Sequence, residues 1–498
     1  MMQTRSPLER LGEGLCAFLR AERMPLLSGL VTGLAAHGFA MSNKLLNADE
    51  TTALFSKGAT IDSGRWALEL LRLVFPDVSV PWLWGLVSLV LVSLAACLTL
   101  RIFRIRNPLL RLTLPALFVS FPSLTGIFCF MFTSAPYALC FLLAVLAVYI
   151  FAGTGTARKR WLLGCSVLVF SLGIYQAYVA LTAGFFVLLM LQRLLEGEKA
   201  GAVFRFGLSA LGMLALSLAL YYALARLAVK LSGGSFLLYS VEQQTGILMR
   251  LALAFNAFVK SLTQGYFGFV NSPLSACVHG LGFGLCFCLG AMELAAMKDW
   301  RSRGLFLLCV VLLPLAMNSI FLISSAEIIH SLVLYSFVCL YVLAALLLDR
   351  VKGPWLRDLV LLCLMLTVLN NVFFANKVYL KMHLQYEHAY AYYTGLITRI
   401  QMTEGYTEAT EVWILGDYGG LPEHPELDTG DLFGPSEDLV NIYTRNDFVK
   451  NYIGFMGDLH FVNYRWTPVE DERCLQMPCY PNPGSLQWLD GKLVVRLS

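Results

Sequence analysis

Apolar and polar stretches alternate along this chain on the length scale of a membrane crossing. Apolar runs occupy 25–40, 82–100, 112–131, 135–152, 161–174, 177–192, 206–227, 274–296, 304–323, 331–348 and 358–376. A straight membrane-spanning helix needs about 20 apolar residues, so the shorter runs predict spans with soft ends. The two runs that meet at Tyr175 are read either as two spans or as one bent helix. Between the runs lie short connections, near 122–134, 175–178 and 323–330 among others, and two long ones, 41–80 and 228–273.

Beyond Asn376 the pattern changes. Residues 379–403 are polar and aromatic at helical spacing, 411–416 read as a buried strand, and 486–497 read as a hairpin built on an Asp490-Gly491 turn. The predicted fold class is therefore an all-α polytopic membrane protein of about eleven transmembrane helices over 1–376, followed by a small α/β domain over 377–498. A cleaved leader ending near Gly38-Phe-Ala40 competes for the first run. The polar stretch ahead of it is long and ten apolar runs follow, which favours an uncleaved first helix.

Composition agrees with a membrane as solvent. Of 498 residues 57% are hydrophobic and 14% charged, with a mean hydropathy of +0.66, whereas soluble domains carry about 25% charged residues. The net charge of +4 is small and the bases are scattered over short loops, which argues against a nucleic-acid partner. Arg158-Lys-Arg160, then Arg193, Lys199 and Arg205, then Lys298, Arg301 and Arg303, then Arg350, Lys352 and Arg357 fall on alternate connections. The positive-inside rule then predicts a cytoplasmic N-terminus, with 41–80, 228–273 and everything after Asn376 outside.

Most of the 13 cysteines lie in or beside apolar runs, where a thiol is a small buried hydrophobe. Cys474 and Cys479 stand in a polar region and are the pair an oxidising compartment would join as a disulfide. No glycine loop of nucleotide-binding type is present: Gly153-Thr-Gly-Thr follows no strand, and Gly280-Leu-Gly-Phe-Gly284 reads as a helix-packing face. A nucleotide-driven mechanism has no visible site.

Candidate chemistry concentrates in the first long connection, which carries Asn43, Lys44, Asp49, Glu50, Asp62, Arg65 and Trp66. On a helix Asp49 and Glu50 would diverge by about 100° and could not share a proton. In a loop, one can face a reaction while the other holds a metal or a sugar; the plain alternative is a pair of solvated acids. Asp62 is read either as the cap of a helix starting near Gly64 or as a substrate contact. Arg65-Trp66 suits a lipid phosphate or an ordinary interfacial anchor, on a helix over 65–75 lying along the interface.

Tyr175-Gln-Ala-Tyr178 sets polar groups where hydrocarbon penalises them unless partnered, so it faces the bundle interior. For Gln176, a substrate contact and a helix–helix bond both remain open. Glu327 and His330 border the tenth span as possible contacts to a phosphate or sugar. Arg250 and Lys260 are spare cations for a lipid phosphate.

Asn43 with Asp49-Glu50, Gly64-Arg-Trp66, Tyr175-Gln-Ala-Tyr178, His330-Ser-Leu-Val-Leu-Tyr335, and Met477-Pro-Cys-Tyr-Pro-Asn-Pro-Gly-Ser485 leading into Lys492-Leu-Val-Val resemble the Gtr glucosyltransferases, bacterial inner-membrane enzymes of the GT-C superfamily. The resemblance implies an inverting transfer outside the cytoplasm. Its donor would be a polyprenyl-phosphate-linked sugar, and its acceptor a surface polysaccharide such as O-antigen or its lipid-linked precursor. It gives Asp49 or Glu50 the role of base; the family usually places two aspartates there, which favours Asp49. A divalent cation, Mg or Mn, stays open as a cofactor, held by Asp49 and Glu50 if bound. Two other classes share the helices: a lipid-linked saccharide transporter, which would carry charges at mid-membrane, and a non-catalytic assembly partner, which would tolerate loss of both acids.

Overall fold

The computed structural model describes residues 6–47, 60–75, 78–236, 246–263, 273–323, 331–351, 353–422, 424–427, 429, 448–453, 464–467 and 471–498. Two compact units emerge: Met1–Asn43 with Ala59–Asn376, and Lys44–Gly58 with Lys377–Ser498.

The first unit is helical. Its elements are α1 (Pro7–Ala21), α2 (Arg23–Ser42), α3 (Trp66–Leu71), α4 (Pro81–Ile102), α5 (Pro108–Ser120), α6 (Pro122–Cys129), α7 (Met131–Ala152), α8 (Ala157–Ile174), α9 (Val179–Leu195), α10 (Ala200–Ser232), α11 (Ile247–Thr263), α12 (Pro273–Ala296), α13 (Trp300–Met317), α14 (Ile320–Ile323), α15 (Val338–Leu348) and α16 (Pro354–Gln401). Ten helical segments among the described residues are long and apolar enough to cross a membrane. The expectation was eleven. The difference is α8, which has the length but opens on Arg158, Lys159 and Arg160. The stretch 122–134, expected as a connection, is helical from Pro122 to Cys129, so α5 and α6 form one broken span.

Nor are the runs meeting at Tyr175 one bent helix. Tyr175 is extended, a 3₁₀ turn covers Gln176–Tyr178, and α9 turns back. Both return to the start of α10: the Trp161 indole donates to Ser209 Oγ at 3.0 Å, and Met190 lies against Gly207. Small residues let other helices approach. A Cβ at Gly29 or Gly33 of α2 would strike Ser93 or Leu89 of α4, a small-xxx-small contact of the membrane type. In Gly280-Leu-Gly-Phe-Gly284 only Gly282 meets another helix, at Cys363; Gly280 and Gly284 face open space.

The charged connections converge at one end of this bundle. Buried Glu22 accepts from Arg101 Nε at 2.8 Å and Arg111 Nη2 at 2.5 Å. Arg104 pairs with Glu196 at 3.4 Å, Arg350 pairs with Glu293 at 3.5 Å, and the Asp349 carboxylate accepts from the backbone N–H of Asn107 at 2.8 Å. Each carboxylate thus finds cations or a helix N-terminus, as charge at a helix end requires.

The second unit holds the last part of α16, which runs on without a break for 48 residues from Pro354 to Gln401. It also holds β1 (Val412–Leu415), β2 (Tyr464–Thr467), α17 (Glu472–Leu475), β3 (Leu486–Leu489) and β4 (Lys492–Arg496). The sheet order is β2-β1-β4-β3, with β1 parallel to both neighbours and β3/β4 antiparallel. Asp490 and Gly491 both take positive φ, as a tight hairpin turn demands.

Alternation sorts the strand residues. Val412, Ile414, Leu493 and Val495 pack with Tyr393, Leu396, Ile397 and Ile400 of α16 and with Leu46 from the first long connection. Leu415 and Val494 face Cys474 and Met477. Cys474 and Cys479 are both free thiols. Cys474 packs in that apolar cluster and Cys479 is half-buried, so the pairing expected of them stays a proposal for an oxidising compartment. The fold class anticipated from sequence, a membrane-type helical bundle with a small mixed sheet at the C-terminal end, is the one observed.

A candidate active site around the 60–66 turn

The polar turn ahead of α3 is held from within. Gly64 N–H donates to Ile61 O and Arg65 N–H to Thr60 O, both at 2.8 Å, and Thr60 Oγ1 donates to Glu69 Oε2 at 2.9 Å. Gly64 has φ +77°, and a Cβ there would lie 2.5 Å from Tyr221 Oη and 3.2 Å from Gln176 Nε2. Glycine is the residue that meets both demands.

Four helices close on this turn. Gln176 Nε2 donates to Ser63 O at 2.7 Å and to Tyr221 Oη, on α10, at 2.6 Å. Arg65 Nη1 donates to Tyr137 Oη, on α7, at 3.1 Å, and its guanidinium lies 5.1 Å from the Tyr175 ring centre. Tyr137 and Tyr175 stack at 4.6 Å. The Trp66 indole lies on Gly173 of α8, where a Cβ would meet it, and stands edge-on to Phe170 at 6.0 Å. The result is a cation on an aromatic floor, a stabilising arrangement when partly desolvated.

Next to the turn is an open groove of about 450 Å³ lined by Arg226, Leu227, Val229, Lys230, Gly234 and Phe236. Phe236 lies against Gly64 and edge-on to Tyr222 at 6.0 Å. A Cβ at Gly234 would run into the Asp62 carboxylate, so turn and groove share a wall.

Asp62, Arg65, Trp66, Tyr175 and Gln176 are therefore brought together. Asp62 does not cap a helix: α3 begins at Trp66, with Arg65 at the cap position and no side-chain cap bond. The helix expected over 65–75 is shortened to Trp66–Leu71. Gln176 makes the inter-element bond, one of its two open roles. Tyr178 points elsewhere, into the core, with Phe141 at 5.8 Å and Tyr335 at 6.3 Å. Asn43 donates to Phe39 O at 2.8 Å as α2 ends, and Lys44 belongs to the second unit.

Arg250 and Lys260 do not form a pair. They are ten residues apart on α11, about 15 Å along the axis and on different faces, and Arg250 Nη1 donates to Leu322 O at 2.9 Å. Asp49, Glu50, Glu327 and His330 lie outside the described residues. Among the described residues no three His, Cys, Asp or Glu side chains converge as a metal site.

Sequence reasoning missed Tyr137 and Tyr221, phenols inside apolar runs that read as core. It also missed Arg226 and Lys230. Their signal was two bases at i and i+4 closing an apolar span.

Comparison with family models matches residues 38–343 to Glucosyl transferase GtrII. The chain belongs to this family. The matched region takes in the turn, the groove and every candidate residue except Cys474 and Cys479, and it ends within α15. Neither a curated protein nor a solved structure matches the chain. Membership makes the protein a membrane glucosyltransferase, with a sugar donor and an acceptor to accommodate.

Proposed function

We propose that this GtrII-family chain moves glucose from a polyprenyl-phosphate-linked donor to a surface polysaccharide or its lipid-linked precursor, on the outer face of the bacterial inner membrane. One observation carries the reading: the polar cluster and its groove stand at the end of the bundle away from the charged connections. Helix α10 starts beside Glu196, which pairs with Arg104 at the charged end, and meets the cluster at Tyr221, two thirds of the way along and about 30 Å from that start. If the bases mark the cytoplasm, the cluster faces outward.

The chemistry assigned to Asp49 or Glu50 is general base catalysis. As the acceptor oxygen attacks the anomeric carbon, its proton passes to the carboxylate, the bond from that carbon to the phosphate oxygen breaks, and the phosphate leaves with the electron pair. A positioned carboxylate contributes roughly two to four powers of ten in rate. Cations near the phosphate stabilise the charge that grows on it. A lipid-borne donor also accounts for embedding the enzyme, since the tail orients the sugar at the surface.

Asp49→Asn is expected to abolish hexose addition, read by mass spectrometry of the surface polysaccharide, with membrane expression unchanged. Full transfer by that variant, with Glu50→Gln equally active, would remove the base from this connection.

A further inference from the structure

The groove at the end of α10 has a composition that packing alone leaves unexplained. Helix α10 has 33 residues, about 50 Å at 1.5 Å per residue, against a hydrocarbon thickness of about 30 Å. Its last turns therefore stand at or beyond the interface. There Leu224, Leu227 and Leu231 are exposed, as a lipid-facing helix allows. Between them Arg226 and Lys230, both exposed, open onto the groove four residues apart, on one face and about 5–6 Å from each other. Neither side chain forms a salt bridge or hydrogen bond among the described residues. Lys230, in the last turn, is favoured there by the negative end of the helix. Arg226 is a turn further in, where that field has decayed; its stem lies on the leucine surface while its exposed guanidinium stays at the interface, within reach of an anionic headgroup.

Resting on the donor assigned above, we propose that Arg226 and Lys230 form the seat of the donor's phosphate. The prenyl chain lies along the leucine face of α10 and the headgroup enters the groove from the lipid side. Two cations at this spacing grip a phosphate together and take up the charge it gains as leaving group. Phe236 walls the headgroup on the side of Gly64. The Asp62 carboxylate, against Gly234, repels the phosphate from that end and keeps it over the two bases.

The test uses the full chain in phosphatidylcholine nanodiscs, with sugar-free polyprenyl phosphate as the probe. Arg226→Gln with Lys230→Gln is expected to weaken binding about tenfold or more, while Arg205→Gln, at the other end of the same helix, leaves it unchanged. Both side chains are exposed, so monodispersity on size exclusion verifies folding, and Arg226→Lys is expected to restore part of the affinity. Inorganic phosphate at millimolar concentration should not compete, because it has no tail, and nanodiscs enriched in phosphatidylglycerol should compete weakly. Equal competition by phosphatidylglycerol would make this a general anionic-lipid site and overturn the assignment. If the wild type binds polyprenyl phosphate and the double variant binds it as tightly, the seat is wrong and the donor stands. If the wild type neither binds it nor transfers from its glucose adduct, the donor itself is wrong.

Discussion

Gly64 is the residue on which the candidate site turns. Its left-handed φ of +77° folds the chain from the polar turn into α3, and its missing side chain admits both Tyr221 and Gln176. In Gly64→Ala the left-handed conformation alone costs about 1–2 kcal/mol, and the new methyl would sit 2.5 Å from Tyr221 Oη. The expected outcome is a lower thermal midpoint in detergent and loss of most transfer activity. Adding Tyr221→Phe, which removes the clashing oxygen, should recover part of both; no recovery would mean that the contact does not limit the turn. At this scale the sequence marked Arg65, Trp66 and Gln176, because polar groups beside apolar runs stand out. Tyr137 and Tyr221 were invisible: a phenol in a hydrophobic run has the pattern of a core residue, and only the folded helices show what its hydroxyl meets.

Among the elements, those set by local chemistry were legible and those set by packing were not. The Asp490-Gly491 hairpin could be read because two adjacent positive φ values favour just such a pair. The continuity of α16 could not: the change of composition after Asn376 looks like a boundary, but no proline interrupts 355–401 and the backbone runs on. The hairpin also makes a prediction about pH. Arg473 bonds Asp471, the cap of α17, at 2.7 Å and Asp490, in the turn, at 2.6 Å. Hydrogen bonds from that guanidinium hold both carboxyls below the ordinary 3.8. Groups with depressed values stabilise above the unfolded value and lose that contribution as pH falls through the folded one. The clasp is therefore fully present at neutral pH and is lost below about pH 4. Hydrogen exchange at the β3/β4 amides should accelerate relative to β1 on acidification, and Arg473→Gln should remove the difference. An unchanged acid profile in that variant would exclude the clasp. All three groups are exposed, so the effect is local and falls with added salt.

For the whole molecule, the number of crossings decides which compartment each end occupies, and α8 is the helix on which that number depends. Without it there are ten candidate spans and both ends of the bundle's chain emerge on one side; with it there are eleven and they emerge on opposite sides. The packing favours inclusion. Helix α8 lies along α7 and α10, its far end meets the 60–66 turn through Gly173, and the Arg160 side chain folds back onto Phe151 O and Gly153 O at 3.0 and 3.1 Å. Three bases in its first turn suit an interfacial end, where long side chains reach water while their stems stay apolar. A reporter active only in the cytosol, fused after Thr156, should therefore be active, and the same reporter fused after Met402 silent, with an export-dependent reporter giving the reverse. Cytosolic activity after Met402 would reduce the crossings to an even number. It would also carry the end of α10, with the Arg226–Lys230 groove, to the cytosolic side, where a lipid-linked donor presented from outside could not reach it.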